Sequence, residues 1–224
     1  MVVHTQDVDG VAVGPAELGS FRVGRERIGA GAWEREQDER LDRLVIGWTE
    51  QVDRRGRLRA AALVAARERR VAAAREHLAR LALDVLLRPT TPDVDALLAP
   101  LDLAVDAYVD FVDGRFDRAA ATLTAAVADN GRLALRHGLE IRRALQLHLS
   151  GNVVRALGAA GDVDGARALG RAVLATAGDA AAWPFADGPV DPWAAVPAVV
   201  RTMMRDQLGT ALGRLAADAD VAVR

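Results

Sequence analysis

Few residues in this chain have types and spacing suited to chemistry. His137, Glu140 and His148 form its one grouping of histidine with a carboxylate, on a helix predicted from near Leu133 to Ala160. Eleven positions make about three helical turns, so the two histidines share a face but stand about 16 Å apart along the axis. They cannot chelate one ion together, and the spacing offers neither E-x-x-H nor H-E-x-x-H. The three are expected to line a polar groove, with no metal and no cofactor.

A second feature is basic. Arg54, Arg55, Arg57, Arg59, Arg67, Arg69, Arg70, Arg75 and Arg80 stand against only Glu68 and Glu76, on a helix predicted to start after Gly56 and run to Leu87. An arginine-rich face can track phosphates, which makes nucleic acid an alternative ligand. No aromatic residue is interleaved for base stacking, so Arg67, Arg69, Arg70 and Arg75 read first as a face for a protein or peptide partner. Downstream, Asp102, Asp106, Asp110 and Asp113 form an acidic ridge on one helix side. Like charges one turn apart cost about 0.2–0.5 kcal/mol per pair, so Arg115, Arg118 or the basic helix is expected to lie alongside.

Two further stretches carry candidate sites. The segment AWPFADGPVDPW sets Trp183, Phe185 and Trp193 among prolines, as a plug for the end of a helical core or as an interaction hot spot. Asp38, Glu39 and Asp42 spell D-E-x-x-D, which resembles the metal-binding carboxylates of terpene synthases. The second motif of that family, N-D-x-x-S-x-x-x-E, has no counterpart here. With Glu34, Glu36 and three interleaved arginines, these carboxylates are expected to form a solvated face of i, i+4 pairs.

Absences narrow the function further. The 224 residues contain no Cys, and all 29 basic residues other than histidine are Arg. Thiolate nucleophiles, disulfides and thiolate metal sites are therefore closed. So are the phosphate-binding lysine of a P-loop and Schiff-base chemistry. Ser20 and Ser150 are the only serines, and neither lies in G-x-S-x-G. A net charge of -2 opposes global attraction to nucleic acid. Asp7 and Asp9 stand where a signal peptide needs basic residues, and no apolar run approaches the length of a bilayer span. The expectation is a cytoplasmic protein without a membrane partner.

The elements that must position these groups are helical throughout. Hydrophobic content of 51% with 27% charge suits a globular chain, and strand-like alternation is scarce. Residues 1–32 read as an extended arm, with a phosphate-loop reading of VGRERIGAG set aside because it lacks Lys. Residues 33–224 read as a single all-α domain. Leu41, Leu44, Val45, Trp48 and Val52 make one apolar stripe. Val64, Val71, Ala74, Leu78, Leu81 and Val85 make a packing seam. Thr91-Pro92 starts a helix that Pro100 interrupts, and Asn130-Gly131 ends the one after. Val200, Met204, Leu208 and Leu212 line a terminal capping helix.

GRFDRA at Gly114–Ala119 and GDVDGA at Gly161–Ala166 share G-x-x-D-x-A between apolar helices. Residues 101–177 thereby resemble tetratricopeptide-type repeats, with Ala119 and Ala166 as the small residues of the paired helices and Gly170 where that family has a bulky one. The resemblance implies antiparallel helical hairpins, stacked as an array or bundle, that bind a partner and do not catalyse. The expected function is a non-enzymatic interaction protein, with self-association left open. The alternative is a small helical enzyme or small-molecule-binding protein that uses Asp, Glu, His and Arg alone.

Overall fold

The computed structural model describes the backbone of residues 31–222 and the side chains of residues 31–216. The readings made for residues 1–30, the arm and the phosphate-loop motif among them, lie outside the described residues. Eight α-helices and one short 3-10 turn follow one another, with no strand among the described residues. The fold is all-α, as the composition implies.

Helix α1 spans Ala32–Val45 and α2 spans Thr49–Arg67. The apolar stripe expected on one helix is divided by a turn in which Gly47 takes φ +84°. Its two halves stay together because Val45 and Trp48 both pack on the cluster of Val52, Val94 and Leu98. Gly56, expected to break a helix, lies buried inside α2. The expected helix reaching Leu87 is cut instead at Glu68–Arg70, and α3 spans Val71–Leu87. Arg69 has φ +57°, while the Arg69 and Arg70 amides donate to Ala66 O and Ala65 O at 2.8 Å each. This closure is the one usually made with glycine.

Helix α4, Pro92–Val112, starts as expected, with Thr91 Oγ1 accepting from the Val94 amide at 3.4 Å. It passes through Pro100 without interruption. The one backbone bond that proline removes is outweighed by a buried face of Val94, Leu97, Leu98, Val105, Ala107 and Val109. Helix α5, Phe116–His137, likewise runs past Asn130-Gly131 and ends at Gly138, φ +63°. Both residues are committed to the interior: Asn130 Nδ2 donates to Ala126 O at 2.8 Å, and a Cβ on Gly131 would lie 1.8 Å from Asp187 Oδ2.

Helices α6 (Ile141–Ala159) and α7 (Val163–Ala175) follow, the second capped by Asp162 accepting from Gly165 N at 2.9 Å. The chain then makes the 3-10 turn Ala180–Ala182 and enters α8, Ala198–Ala222. From α2 onward sequential helices pack on one another, α1 and α2 also meet α4, and α6 also meets α8. The tight turns at Gly114 and Gly161 take φ +77° and +89°, and Ala119 and Ala166 behind them are fully buried. Gly170 is small because Leu212 of α8 occupies the space: its Cδ2 would stand 2.7 Å from an added Cβ. The main core joins α5, α6, α7 and α8 around Leu147, Val154, Val173, Met204 and Leu208. No helix among the described residues is long and apolar enough to cross a membrane.

Candidate functional site

His137, Glu140 and His148 do not share a helix. Gly138 ends α5, so His137 closes that helix, Glu140 sits in the turn and His148 lies on α6. Each has its own neighbours. His137 Nε2 lies 3.8 Å from Asp93, Glu140 accepts from Trp33 Nε1 at 2.8 Å, and His148 is held between Gln207 and Asn152. His148 Nδ1 lies 3.3 Å from Gln207 Oε1 and its Nε2 lies 3.4 Å from Asn152 Nδ2. Those partners fit a neutral ring protonated at Nδ1. Burial, with the Arg155 charge adding to it, pulls its pKa below the usual histidine value despite the Gln207 bond. The expected groove is thus three separate contacts that fasten α1, α4 and α8 to the α5–α6 pair. Among the described residues no group of three His, Cys, Asp or Glu could hold a metal.

The basic helix and the acidic ridge meet. Arg55 donates to Asp95 at 2.7 Å and Arg59 pairs with Asp102. Arg75 reaches Asp110 at 2.5 Å and Asp113 at 3.2 Å. Arg118 reaches Asp110 at 2.9 Å and Asp106 at 3.2 Å, and Arg115 reaches Asp113 at 2.8 Å. The ridge is neutralised from within by α2, α3 and α5, as the repulsion along it required. Its carboxyls differ in environment. Burial raises the pKa of Asp102 against the pull of Arg59, and burial with Asp106 raises that of Asp110. At Asp95, burial is outweighed by hydrogen bonds from Thr90 and Arg55, and the pKa falls.

That pairing divides the predicted partner face. Arg75 is committed to α4, and Arg70 donates to Glu68 at 2.8 Å, while Arg67 and Arg69 are exposed and form no ion pair among the described residues. Arg54 and Arg80 pair with Glu50 and Glu76 one turn away. Arg57 is the other exposed cation of α2 that is unpaired among the described residues.

The aromatic loop is a plug. Trp183, Phe185 and Trp193 are all buried within the main core, so they offer a partner little aromatic surface. Trp193 Nε1 donates to Val173 O at 2.9 Å, and Trp183 Nε1 donates to Asp187 Oδ1 at 2.7 Å. Asp187 Oδ2 accepts from Gln146 at 2.9 Å and Arg143 at 3.4 Å. The loop is therefore tied to α6 by a buried carboxylate that the sequence reading passed over. Of the three aromatics only Phe185 borders an open groove, of about 420 Å³, walled by Thr124, Val153, Leu157, Leu169 and Pro184.

The carboxylates of α1 do not form one solvated face. Glu34 and Asp38 are buried, whereas Glu36, Glu39 and Asp42 are exposed. The D-E-x-x-D residues are accordingly split between the interior and the solvent, because α1 lays one side on the α5–α6 turn: Gln37 Oε1 accepts from the Ile141 amide at 3.2 Å.

A stripe missed in the sequence lies on α3. Leu83, Leu86 and Leu87 are 53%, 76% and 66% exposed, and Ala72, Ala79 and Ala82 continue the same side of the helix. Its spacing, 72, 79, 83 and 86, is as regular as the buried seam of Ala74, Leu78 and Leu81 behind it. The 3.6 Å contact of Arg54 with Asp84 sets the register of α2 against α3. That contact sets the Arg54 end of α2 beside the Leu83–Leu87 end of α3, while Arg67 and Arg69 lie at the turn before α3. Comparison with known proteins adds no relative: no family model, no curated protein and no solved structure matches this chain.

Proposed function

We propose that this protein is a non-enzymatic interaction module that receives an amphipathic helix of a protein partner on the outer face of the α2–α3 hairpin. The observation that carries this reading is the apolar stripe of Leu83, Leu86 and Leu87, three large side chains that stay in water although a buried seam already covers the opposite side of α3. Contiguous exposed apolar surface of this kind marks association. Removing it from water is worth about 25 cal/mol per Å² before the costs of docking.

Charge selects the partner. Arg57, Arg67 and Arg69 are the cations left over once the rest of the hairpin has paired internally. The favoured occupant is a helix whose apolar side is edged with Asp and Glu, since facing charges of opposite sign steer encounter and fix orientation. Nucleic acid would leave Leu83, Leu86 and Leu87 wet, which favours a protein partner.

The test is site-specific photo-crosslinking in cells with the crosslinker at position 86. It should yield one defined adduct, lost on Leu83→Ser with Leu87→Ser and weakened by Arg57→Gln with Arg67→Gln in a salt-sensitive manner. A crosslinker at the exposed position Thr210 of α8 is the control. An adduct indifferent to the leucine and arginine changes, or none at all, refutes the reading. Adduct formation with a second copy of the chain would replace the proposed partner by self-association.

A further inference from the structure

Three guanidinium groups are buried where α2, α4 and α6 meet, and only two carboxylates accompany them. Arg55 and Arg59 are each 1% exposed, Arg142 is fully enclosed, and their charged neighbours are Asp95 and Asp102. Arg142 has no carboxylate partner. Its Nη1 donates to Asn130 Oδ1 at 3.1 Å and its Nη2 to Leu97 O at 3.0 Å, while its Nε meets no acceptor. Arg59 spends Nη1 on Asp102 and leaves both Nε and Nη2 without an acceptor.

Among the described residues one positive charge in this cluster is therefore uncompensated, and at least three enclosed N–H groups on Arg59 and Arg142 lack a protein partner. Burial and the nearby Arg59 lower the Arg142 pKa to about 9, which still leaves it cationic at neutral pH. An unpaired charge in the interior is strongly destabilising. A neutral group could satisfy the hydrogen bonds but not the charge.

We propose that the interior between α2, α4 and α6 binds a small monovalent inorganic anion, of halide size, between the Arg59 and Arg142 guanidinium groups. A monovalent anion brings three cations and two anions to balance, whereas a dianion would overshoot. The near-complete burial of Arg59 and Arg142, with the Leu97 carbonyl already on Arg142 Nη2, favours a monatomic ion over a bulky oxyanion. The site is independent of the α3 face and stands or falls apart from it.

The experiment is a thermal melt of the full chain at constant ionic strength, with sodium gluconate replaced stepwise by sodium chloride, sodium bromide or sodium phosphate. Halide should raise Tm saturably, by roughly 5–10 °C at a hundredfold excess over the Kd. Gluconate should be inert, and the response should vanish in Arg142→Met. Crystals grown in bromide should show an anomalous peak within hydrogen-bond distance of Arg59 and Arg142, which decides the matter alone if Arg142→Met does not fold. A flat halide series, stabilisation by phosphate alone, a halide response that survives Arg142→Met, or bromide only at the surface overturns the proposal.

Discussion

Replacing Asp187 by Ala should loosen the aromatic loop from the body of the protein. The carboxylate is 2% exposed and joins three donors from two directions: Trp183 within its own loop, and Gln146 and Arg143 on α6. Truncation leaves a mostly buried guanidinium facing no anion and the Trp183 indole N–H facing no acceptor, while Gln146 Nε2 keeps Val127 O at 3.0 Å. Removing one partner of a buried ion pair costs about 3–5 kcal/mol. Arg143 retains 11% exposure of its side chain and a 2.7 Å bond to Gln146 Oε1, so the low end, about 3 kcal/mol, applies. At roughly 2–4 °C per kcal/mol for a chain of this length, Tm should fall by about 6–12 °C. The assay is a far-UV circular dichroism melt with near-UV spectra reporting the tryptophans. Because the cost arises from the stranded cation, Arg143→Met should recover part of it in the double variant, with a coupling of at least about 1 kcal/mol. A Tm within 2 °C of the parent, or strictly additive single and double variants, would refute the account of the loop as tied through this carboxylate.

Three further outcomes are expected. Acidification should loosen α8. The His148 pKa is depressed in the folded state, so the unfolded chain binds the proton first, and stability falls as pH drops from about 6.5 toward the folded value. Denaturation midpoints at pH 7.5 and 5.5 should differ in the parent and converge in His148→Gln. Gly131→Ala should be as damaging as the loss of Asp187, since the new methyl would sit 1.8 Å from Asp187 Oδ2 and 2.5 Å from Gln146 Nε2; a melt unchanged from the parent would contradict this packing. Arg69→Gly should raise stability by about 1 kcal/mol, because glycine holds φ near +57° without the cost borne by other residues. The same change should weaken the crosslink at position 86.

The sequence foresaw more of the electrostatics than of the helix ends. Four aspartates at one-turn spacing have to be met by cations, and the arginines named for it, Arg115, Arg118 and the basic helix, are the ones that meet it. Helix ends were misread wherever a residue type has two uses. Gly56, Pro100 and Asn130-Gly131 look like stop signals, yet each lies inside a helix. Gly131 is there because Asp187 presses on that turn, and no local pattern reveals a contact made 56 positions away. Conversely, Arg69 carries no stop signal and occupies the left-handed position of a real helix end.

The same distinction governs the candidate sites. The histidine grouping depended on one uninterrupted helix and dissolved when Gly138 became a cap. The tryptophans were visible as a cluster, but their burial follows from Val173, Thr176 and Asp187 lying within reach of the two indole N–H groups. The leucines of α3 were visible one by one. Which side of an amphipathic helix is covered depends on how many neighbours arrive, and among the described residues α3 packs chiefly on α2 and α4.

What the chain alone determined is local and compositional: helices from Ala-rich, strand-poor sequence, turns at Gly114 and Gly161, caps at Thr91 and Asp162, and the removal of thiol, lysine and most serine chemistry. What only the tertiary structure decided is which charges are spent. An arginine on paper is a free cation, but burial turns Arg55, Arg59 and Arg142 into interior groups, pairing commits Arg75 to α4, and Arg57, Arg67 and Arg69 are left to the solvent. The reason is that desolvation and Coulomb attraction act through space, between residues whose separation along the chain says nothing about their distance.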